Sequence, residues 1–383
     1  MTDFELSPHY RELQAEARAV AAQVEPFALE ADAMSVVHDD VLKIMRDSKL
    51  FELLVPKQYG GRYEQLDPLA IALVREVLMA TSSHADSLFA LQGIGSYSLT
   101  RGGHPEYQQE WLPKVATGEA LAAIGLTEPI AGSDLKNITT EIVADGDEFI
   151  LNGEKAFISN GGAAAFYNCL ARDGDGHTMV FVRGDAEGLS FLPTPEIAAP
   201  HVLADLKFEN VRISADDIVG VRGKGFDLAL ATLAVFRVSV AGASLGLAEA
   251  ALREAARHAG TRIQFGKPLA RQGAIAEMLA DSWTELEAAR LLTYAAASRA
   301  RQDPQAALHH SSAAKLFASE SAGKIVDRAV QIMGRWGLIK DSKIELLTRQ
   351  ARPMRIYEGG SQVLRLGISR ELVADTLKNA PEA

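Results

Sequence analysis

Cysteine, basic charge and long apolar runs are all scarce in this 383-residue sequence. Cys169 is the only cysteine, so no disulfide can form within the chain and a cysteine-ligated metal site is not expected. The net charge is −11, which argues against nucleic acid and anionic membrane as partners because both need a basic surface. No apolar run approaches the roughly 20 uninterrupted residues that a membrane helix needs.

Targeting and nucleotide-binding motifs are missing as well. The first residues lack a basic segment followed by an apolar one, so we expect no secretory signal and a cytoplasmic location. There is no P-loop, no Rossmann glycine fingerprint and no HExxH pair. The run from Gly242 to Gly246 matches G-x-S-x-G, but helix-like residues precede it. Close helix packing is therefore favoured over a hydrolase nucleophile elbow, which needs a preceding strand.

What is present is a helix, sheet, helix layout. Hydrophobic residues make up 48% and charged residues 23%, as in ordinary globular proteins. Segments with helical period predict helices at 10–32, 41–48, 66–80, 84–99, 106–115, 226–258, 273–301, 304–333, 344–351 and 361–377. Between them, short segments with Asp145-Gly146 and Asn152-Gly153 predict strands joined by hairpin turns. The sequence predicts a mainly α fold with a central antiparallel β domain: a helical domain at 1–120, a β domain at 121–224 and a helical bundle at 225–383.

One carboxylate near the C-terminus stands between an aromatic residue and two glycines, in Tyr357-Glu358-Gly359-Gly360. Pro353 is placed to end the preceding helix. A glutamate in an apolar bend would have its charged form disfavoured and its pKa raised toward values suited to proton abstraction. On this segment alone, a solvated loop glutamate remains the simpler interpretation.

Two upstream stretches suit a planar ligand. Leu126–Asp134 (LTEPIAGSD) offers hydroxyls, backbone amides and a tight turn, although an ordinary loop offers the same. In the second stretch, Phe157 and Ser159 share a face if the segment is a strand. A ring could then stack on Phe157 while the Ser159 hydroxyl binds its edge. The alternative is a core phenylalanine beside a surface serine.

Short motifs run through nearly the whole chain in one order. They are Val55-Pro56-Lys57-Gln58-Tyr59-Gly60-Gly61, Gln109-Glu110-Trp111-Leu112-Pro113, the LTEPIAGSD loop, Phe157-Ile158-Ser159-Asn160-Gly161, Arg262-Ile263-Gln264-Phe265-Gly266-Lys267, Gln331-Ile332-Met333-Gly334 and Ile356-Tyr357-Glu358-Gly359. In this order they resemble the acyl-CoA dehydrogenase family of flavoproteins. The resemblance implies an N-terminal helical domain, a β domain and a four-helix bundle, with FAD held between the last two.

The resemblance also implies a set of site residues. The flavin ring would contact Leu126, Thr127, Phe157, Ile158 and Ser159, with Ser159 near N5. Arg262, Phe265, Gln331, Gly334 and Gln362 would reach the flavin's pyrophosphate and adenine ends, the first four of them in a neighbouring subunit. Ser133, Arg237 and Gly359 would contact the substrate.

By the same resemblance, Glu358 would remove the α-proton of an acyl thioester while the β-hydrogen leaves as hydride to flavin N5. Some family members carry the base at a position that is Phe236 here, which cannot accept a proton. The family usually has threonine where this chain has Gly360, and often aspartate where it has Ala234. The second departure weakens the case for free CoA over a carrier-protein thioester.

The resemblance gives the helix at 84–99 the role of lining the acyl pocket. No arginine occurs between Arg75 and Arg101, so we expect no arginine clamp for a glutaryl-type substrate. Bulky residues in the helix suggest a short, branched or cyclic acyl group. His84 and Asp86 could hold a polar substituent of the acyl group, but a position at the surface is the simpler expectation.

An acyl-CoA dehydrogenase that passes electrons to an electron-transferring flavoprotein, in a homotetramer built from dimers, is the leading interpretation. An acyl-carrier-protein dehydrogenase or acyl-thioester oxidase of a biosynthetic pathway is the alternative enzyme. A related flavin monooxygenase is disfavoured, because those relatives lack the glutamate. A scaffold that has lost FAD binding is the non-enzymatic alternative.

Overall fold

The structure is a computed structural model that describes residues 5–378, and it divides into two compact units. The helical unit takes the chain up to Ala21, Pro68–Ser83 and everything from Arg237 onward. The sheet unit takes Ala22–Asp67 and His84–Phe236. The first residues, on which the expectation of no secretory signal partly rests, lie outside the described range.

Ten α-helices account for most of the described chain. They are α1 Pro8–Ala31, α2 Asp39–Asp47, α3 Pro68–Thr81, α4 Ser83–Gly102, α5 Pro105–Thr117, α6 Gly225–Thr261, α7 Gly273–Gln302, α8 Leu308–Met333, α9 Lys343–Ala351 and α10 Ser361–Lys378. The helices predicted from periodicity are all present, with ends shifted by a few residues. As predicted, α9 ends two residues before Pro353.

The sheet unit is built around one eight-stranded sheet. Its strands are β1 Ala122–Gly125, β2 Glu141–Asp145, β3 Glu148–Ser159, β4 Phe166–Asp173, β5 Gly176–Arg183, β6 Leu189–Leu192, β7 Leu203–Ile213 and β8 Ile218–Val219. The order is β6-β7-β3-β2-β4-β5-β8, and β1 pairs with β4. β4 pairs in parallel with β1 and with β2, and the other strand pairs described in this sheet are antiparallel. The predicted fold class, mainly α with a central and largely antiparallel sheet, is confirmed.

Of the two predicted hairpin turns, one is correct and one is wrong. Asp145 pairs with Glu148 across the β2–β3 turn, as expected. Asn152-Gly153 instead lies inside β3, where the register with β7 shifts between Leu151 and Gly153. Gly153 has a φ of +138°, and a Cβ there would lie 2.5 Å from Thr140 Cα. The glycine therefore serves a β-bulge and a close backbone approach rather than a turn.

The core of the helical unit is made from α3 and α6–α9, together with buried Met354. By length and composition α6 could cross a membrane, but 78% of its most apolar window is buried. A core helix gives the same signature, so this is weak evidence for a membrane span. A short hairpin, β9 Ile263–Gln264 with β10 Lys267–Pro268, follows α6.

The G-x-S-x-G run lies in the middle of α6 and packs against α3. A Cβ at Gly242 would lie 2.3 Å from Ala72 O, and one at Gly246 would lie 1.9 Å from Glu76 O. Neither distance is compatible with a side chain, so both glycines permit the two helix backbones to approach. The predicted role in helix packing is confirmed, and no strand precedes Ser244 as a nucleophile elbow requires.

We expect Gly246→Ala to destabilise the protein by about 3 kcal/mol, because the new methyl group would force α3 and α6 apart. Urea unfolding measures the change. Gly260→Ala is the matched control on the same helix, where a Cβ would meet nothing within 4 Å. It should be neutral or slightly stabilising, since alanine favours helix over glycine. Equal stabilities for the two variants would contradict the packing role.

Candidate active site

A bulge near the end of β3 presents the aromatic ring of Phe157. The β3–β7 register shifts between Lys155 and Ile158, and Phe157 has a φ of +55°. Its backbone N–H donates to Asp205 Oδ1 at 2.7 Å. A bulge leaves one residue outside the ladder, and this carboxylate supplies the missing acceptor. The ring is 49% exposed, so an aromatic surface is available to a planar ligand.

A buried ion pair anchors the loop that follows β1. Lys155 Nζ lies 2.8 Å from Glu128 Oε1, and neither side chain is exposed. Glu128 also accepts hydrogen bonds from the backbone N–H groups of Thr139 and Thr140, at 2.6 and 3.0 Å. Burial alone would raise the pKa of Glu128, but the hydrogen bonds and the Lys155 ammonium lower it to about 2. The carboxylate is therefore ionised at neutral pH.

The same anchor places two predicted cofactor residues beside the bulge. Lys155 Nζ donates to Leu126 O at 3.3 Å, and the N–H of Ala156 donates to Thr127 O at 2.9 Å. Leu126 and Thr127 are both partly buried. The loop thus runs along the part of β3 that leads into the bulge.

Four of the five residues predicted to contact the flavin ring come together in this way: Leu126, Thr127, Phe157 and Ser159. The fifth, Ile158, is 3% exposed and packs into the core of the sheet. Its side chain is therefore occupied, and only its backbone is left for a cofactor contact.

Two cations in the helical unit hold the loop that carries Glu358. Glu358 and Gly359 have φ values of +52° and +107°. Arg237 Nε donates to Glu358 O at 2.8 Å, and Lys315 Nζ donates to Gly359 O at 2.9 Å. Positive φ is costly for a glutamate and persists only where surrounding contacts impose it. These two hydrogen bonds are such contacts, so the backbone at Glu358 is held in one conformation.

Lys315 is fully buried beneath this loop. Burial lowers the pKa of Lys315 to about 8, and the nearby Glu358 carboxylate opposes the shift. A long charged side chain is rarely buried without a specific partner, and here that partner is the Gly359 carbonyl. The ammonium also lies 6.0 Å from the centre of the Tyr357 ring.

We expect Lys315→Met to lower kcat about tenfold and to destabilise the protein by about 1–3 kcal/mol, because the Gly359 carbonyl loses its donor. Steady-state kinetics and urea unfolding measure the two effects. Lys324→Met, at an exposed position on the same helix, is the control and should change neither. An unchanged kcat in Lys315→Met would contradict a functional role for the contact between Lys315 and the Glu358 loop.

The alternative base position on α6 holds hydrocarbon only. Phe236 is fully buried in the sheet unit, and its ring centre lies 5.8 Å from that of Tyr97. Gly93 on α4 faces the same ring, since a Cβ there would lie 2.5 Å from it. The ring of Phe236 is packed by an aromatic ring and by the α4 backbone, and it cannot accept a proton.

The expectation that His84 and Asp86 lie at the surface is wrong, since they are 5% and 3% exposed. The backbone N–H of His38 donates to His84 Nε2 at 3.1 Å, and the backbone N–H of His84 donates to Asp32 Oδ1 at 3.0 Å. Burial lowers the pKa of His84 to about 4, so its ring is neutral. Partners 46 and 52 residues away make this burial possible, and sequence spacing does not reveal them.

The other predicted cofactor residues lie at the surface of the helical unit. Phe265 is 92% exposed at the tip of the β9–β10 turn, with a φ of +53°. The remaining four are also exposed: Arg262, Gln331, Gly334 and Gln362. Of the predicted substrate contacts, Ser133 is exposed in the sheet unit, whereas Arg237 is partly buried under the Glu358 loop. Their predicted contacts stay predictions.

The donor set around the bulge fits a flavin. An isoalloxazine ring needs an apolar or aromatic surface against its face and hydrogen-bonding groups along its edge. The half-exposed ring of Phe157 and the side chain of Leu126 supply the first, and the hydroxyls of Thr127 and Ser159 supply the second. Among residues 5–378, no group of three or more His, Cys, Asp or Glu side chains could hold a metal ion.

Comparison with known proteins identifies the family. The N-terminal, middle and C-terminal domain models of acyl-CoA dehydrogenases match residues 7–119, 123–211 and 223–373. The chain therefore belongs to the acyl-CoA dehydrogenase family. The predicted family and the class of FAD-dependent oxidoreductase are confirmed at this level.

Three similar proteins illustrate the match. Cyclohexane-1-carbonyl-CoA dehydrogenase of Geobacter metallireducens is 32% identical over 94% of this chain and 95% of its own length. A chain solved in work on the electron transferring flavoprotein of Acidaminococcus fermentans has a TM-score of 0.92 and 31% identity, covering 97% of this chain and 100% of that one. An acyl-CoA dehydrogenase from Bacillus anthracis, solved with FAD, has a TM-score of 0.90 and 27% identity, covering 99% and 69%.

Sequence reasoning did not predict four residues that hold the backbone or the loops of the predicted site residues: Glu128, Lys155, Asp205 and Lys315. Glu128 lies within the LTEPIAGSD loop, where the hydroxyls and backbone amides are the groups that predict ligand binding. Lys315 did carry a signal, because it stands alone among apolar residues in Ala313-Ala314-Lys315-Leu316. An isolated charge on the apolar face of a helix indicates a buried partner. No comparable signal marks Asp205.

Proposed function

We propose that the protein catalyses the FAD-dependent α,β-dehydrogenation of an acyl thioester, acyl-CoA to 2-enoyl-CoA, with Glu358 as the catalytic base. Membership of the acyl-CoA dehydrogenase family supports the reaction class. The observation that carries the assignment of the base is the pair of hydrogen bonds from Arg237 and Lys315 to the Glu358 loop. Phe236 at the alternative position supports it further, because a phenyl ring takes no proton.

The chain's own groups account for binding and for proton removal. The Glu358 carboxylate takes the α-proton, and its backbone N–H donates to the thioester carbonyl oxygen, which makes that proton more acidic. Arg237 and Lys315 hold the carbonyls of residues 358 and 359. Because the loop is held before substrate binds, the reaction does not have to include the entropic cost of positioning the carboxylate. Leu126, Thr127, Phe157 and Ser159 hold the cofactor ring. Bound FAD supplies the two-electron acceptor for the β-hydrogen.

A short, branched or cyclic acyl-CoA is the proposed substrate. Large side chains on α4, including Leu88, Phe89 and Tyr97, are buried within the sheet unit and limit the space along this helix. The similarity to a dehydrogenase named for a cyclic acyl-CoA supports a compact acyl group. The stretch between Arg75 and Arg101 has no arginine to pair with a second carboxylate, so a glutaryl thioester is disfavoured. A crystal structure with glutaryl thioester salt-bridged to an arginine would contradict this.

An electron-transferring flavoprotein is the proposed electron acceptor, and a cytoplasmic homotetramer the proposed assembly. The similarity to a chain solved in work on such a flavoprotein supports the acceptor. Large apolar side chains exposed on the helical unit support self-association: Phe265, Trp283, Leu291, Trp336 and Leu338. An acyl-carrier-protein dehydrogenase or an acyl-thioester oxidase remains the alternative. Carrier-protein substrates and oxygen consumption during turnover separate these enzymes from an acyl-CoA dehydrogenase.

The absorption spectrum of the purified protein tests the proposal directly. The protein should be yellow, and one or more acyl-CoA thioesters in an anaerobic screen should bleach it. A panel of straight, branched, cyclic and dicarboxylic acyl groups would also identify the substrate class. A colourless protein that takes up no added FAD would refute the proposal and favour a scaffold.

A further inference from the structure

The imidazole ring of His201 lies between two hydroxyl groups within the sheet unit. Its Nε2 is 2.9 Å from Ser159 Oγ, and its Nδ1 is 3.4 Å from Ser87 Oγ. Ser159 is the last residue of β3, Ser87 lies near the start of α4, and His201 stands two residues before β7. One ring therefore links the strand that carries the proposed cofactor residues to the helix proposed to line the acyl pocket.

The ring of His201 is neutral at neutral pH. Burial lowers the pKa of His201 to about 4, and the neighbouring His84 lowers it further. A neutral imidazole has one nitrogen that donates and one that accepts, so its two hydroxyl partners must play opposite roles. Either Nε2–H donates to Ser159 while Ser87 donates to Nδ1, or both hydrogen bonds run the other way.

We propose that His201 is a positioning residue whose Nε2–H donates to Ser159 Oγ, so that the hydroxyl proton of Ser159 is directed to the cofactor. This rests on the proposed function, in which Ser159 contacts bound FAD. In the reverse arrangement Ser159 would use its only proton on Nε2 and could offer the cofactor nothing but oxygen lone pairs. The shorter of the two distances joins His201 to Ser159, so that hydroxyl is its stronger partner.

Two substitutions at residue 201 separate this role from mere packing. The amide nitrogen of glutamine can take the place of Nε2, and that of asparagine the place of Nδ1. In the full-length chain, His201→Gln should keep the FAD dissociation constant within about twofold of the unsubstituted protein. His201→Asn should raise it about tenfold, the loss expected for one hydrogen bond. The two variants must also differ in the rate of flavin reduction by substrate.

A double-mutant cycle shows whether the effect passes through Ser159. In the Ser159→Ala background, His201→Asn should weaken FAD binding no further. His177→Asn is the matched control, since that ring contacts the Lys136 carbonyl instead and should leave FAD binding unchanged. Nitrogen-15 NMR of labelled histidine gives a readout without activity, and it should show the proton of His201 on Nε2.

Several outcomes would overturn the inference alone, with FAD still bound and still bleached by an acyl thioester. These are equal losses in His201→Gln and His201→Asn, a further loss in the Ser159→Ala background, or a proton on Nδ1. If the unsubstituted protein binds no FAD at all, the proposed function itself fails, and this inference fails with it.

Discussion

Glu358→Gln should remain yellow and lose nearly all dehydrogenase activity, with kcat reduced about 10³-fold or more. Glutamine has almost the same shape as glutamate but accepts no proton, so the α-proton would have no base. The carbonyls of residues 358 and 359 would still accept from Arg237 and Lys315, so the loop should keep its conformation. Anaerobic stopped-flow bleaching of the flavin by substrate measures the loss.

Two further variants sharpen this test. Glu358→Asp withdraws the carboxylate by one methylene and should retain an intermediate rate, since a base is present but displaced. Glu371→Gln makes the same chemical change at an exposed position of α10 and should leave the rate unchanged. If Glu358→Gln still bleached at a rate close to that of the unsubstituted protein, another group would have to be the base.

Lys155→Met should destabilise the protein by about 3–5 kcal/mol, because it leaves the buried Glu128 carboxylate without its cation. The loss should extend to FAD binding, since the same lysine holds the Leu126 carbonyl beside β3. Urea unfolding and FAD titration measure the two effects. Lys43→Met breaks an exposed ion pair with Asp47 and should cost less than about 1 kcal/mol.

Neutralising Glu128 as well should recover part of the stability. In the Lys155→Met, Glu128→Gln double variant no unpaired charge is buried, and the amide oxygen still accepts from the backbone of Thr139 or Thr140. A double variant less stable than Lys155→Met would contradict the ion-pair argument.

The stability supplied by Glu128 should depend on pH in a definite direction. Its pKa is lowered from 4.5 to about 2, so its contribution is complete above about pH 4.5 and is lost as pH falls toward 2. The difference in unfolding free energy between the unsubstituted protein and Lys155→Met should therefore shrink across that window. A difference that stayed constant from pH 6 to pH 2 would show that the carboxylate contributes no ionised-state stability.

Local signals in the sequence predicted the elements well. The helical period of the sequence predicts the ends of α6 and α7 to within three residues. The prediction that a helix ends before Pro353 is also correct, since α9 ends at Ala351. The Asp145-Gly146 turn joins β2 and β3 as its composition predicts. These features depend on neighbours within a few positions, which is the range over which propensity and turn chemistry act.

The errors arose where distant residues decide the structure. Asn152-Gly153 has the composition of a hairpin turn, but Asn152 Oδ1 accepts from the Asn210 N–H across the sheet, and the segment stays in β3. Strand alternation predicts that Phe157 and Ser159 share a face, yet the bulge held by Asp205 interrupts that alternation at Phe157 itself. Neither partner can be found from local spacing, because each lies about 50 residues away or more.

The candidate site shows the same division between residues that local sequence can predict and residues that depend on distant partners. Motif order predicts roles for Glu358 and for the residues around the bulge, because these carry recognisable side chains in a recognisable series, and these roles stay predictions. Motif order was not enough to find Lys315, Lys155 or His201. Each acts by holding a backbone carbonyl, a carboxylate or a hydroxyl that belongs to another element.

The positive φ of Phe157 has a consequence for laboratory evolution of this protein. Glycine and asparagine readily adopt a φ near +55°, the value at this bulge position. The same conformation destabilises a phenylalanine by about 1–3 kcal/mol. A selection for heat resistance alone should therefore enrich small residues at position 157, while a selection for catalytic turnover should restore the ring. Residue 157 would then be a position where robustness and activity are improved by opposite substitutions.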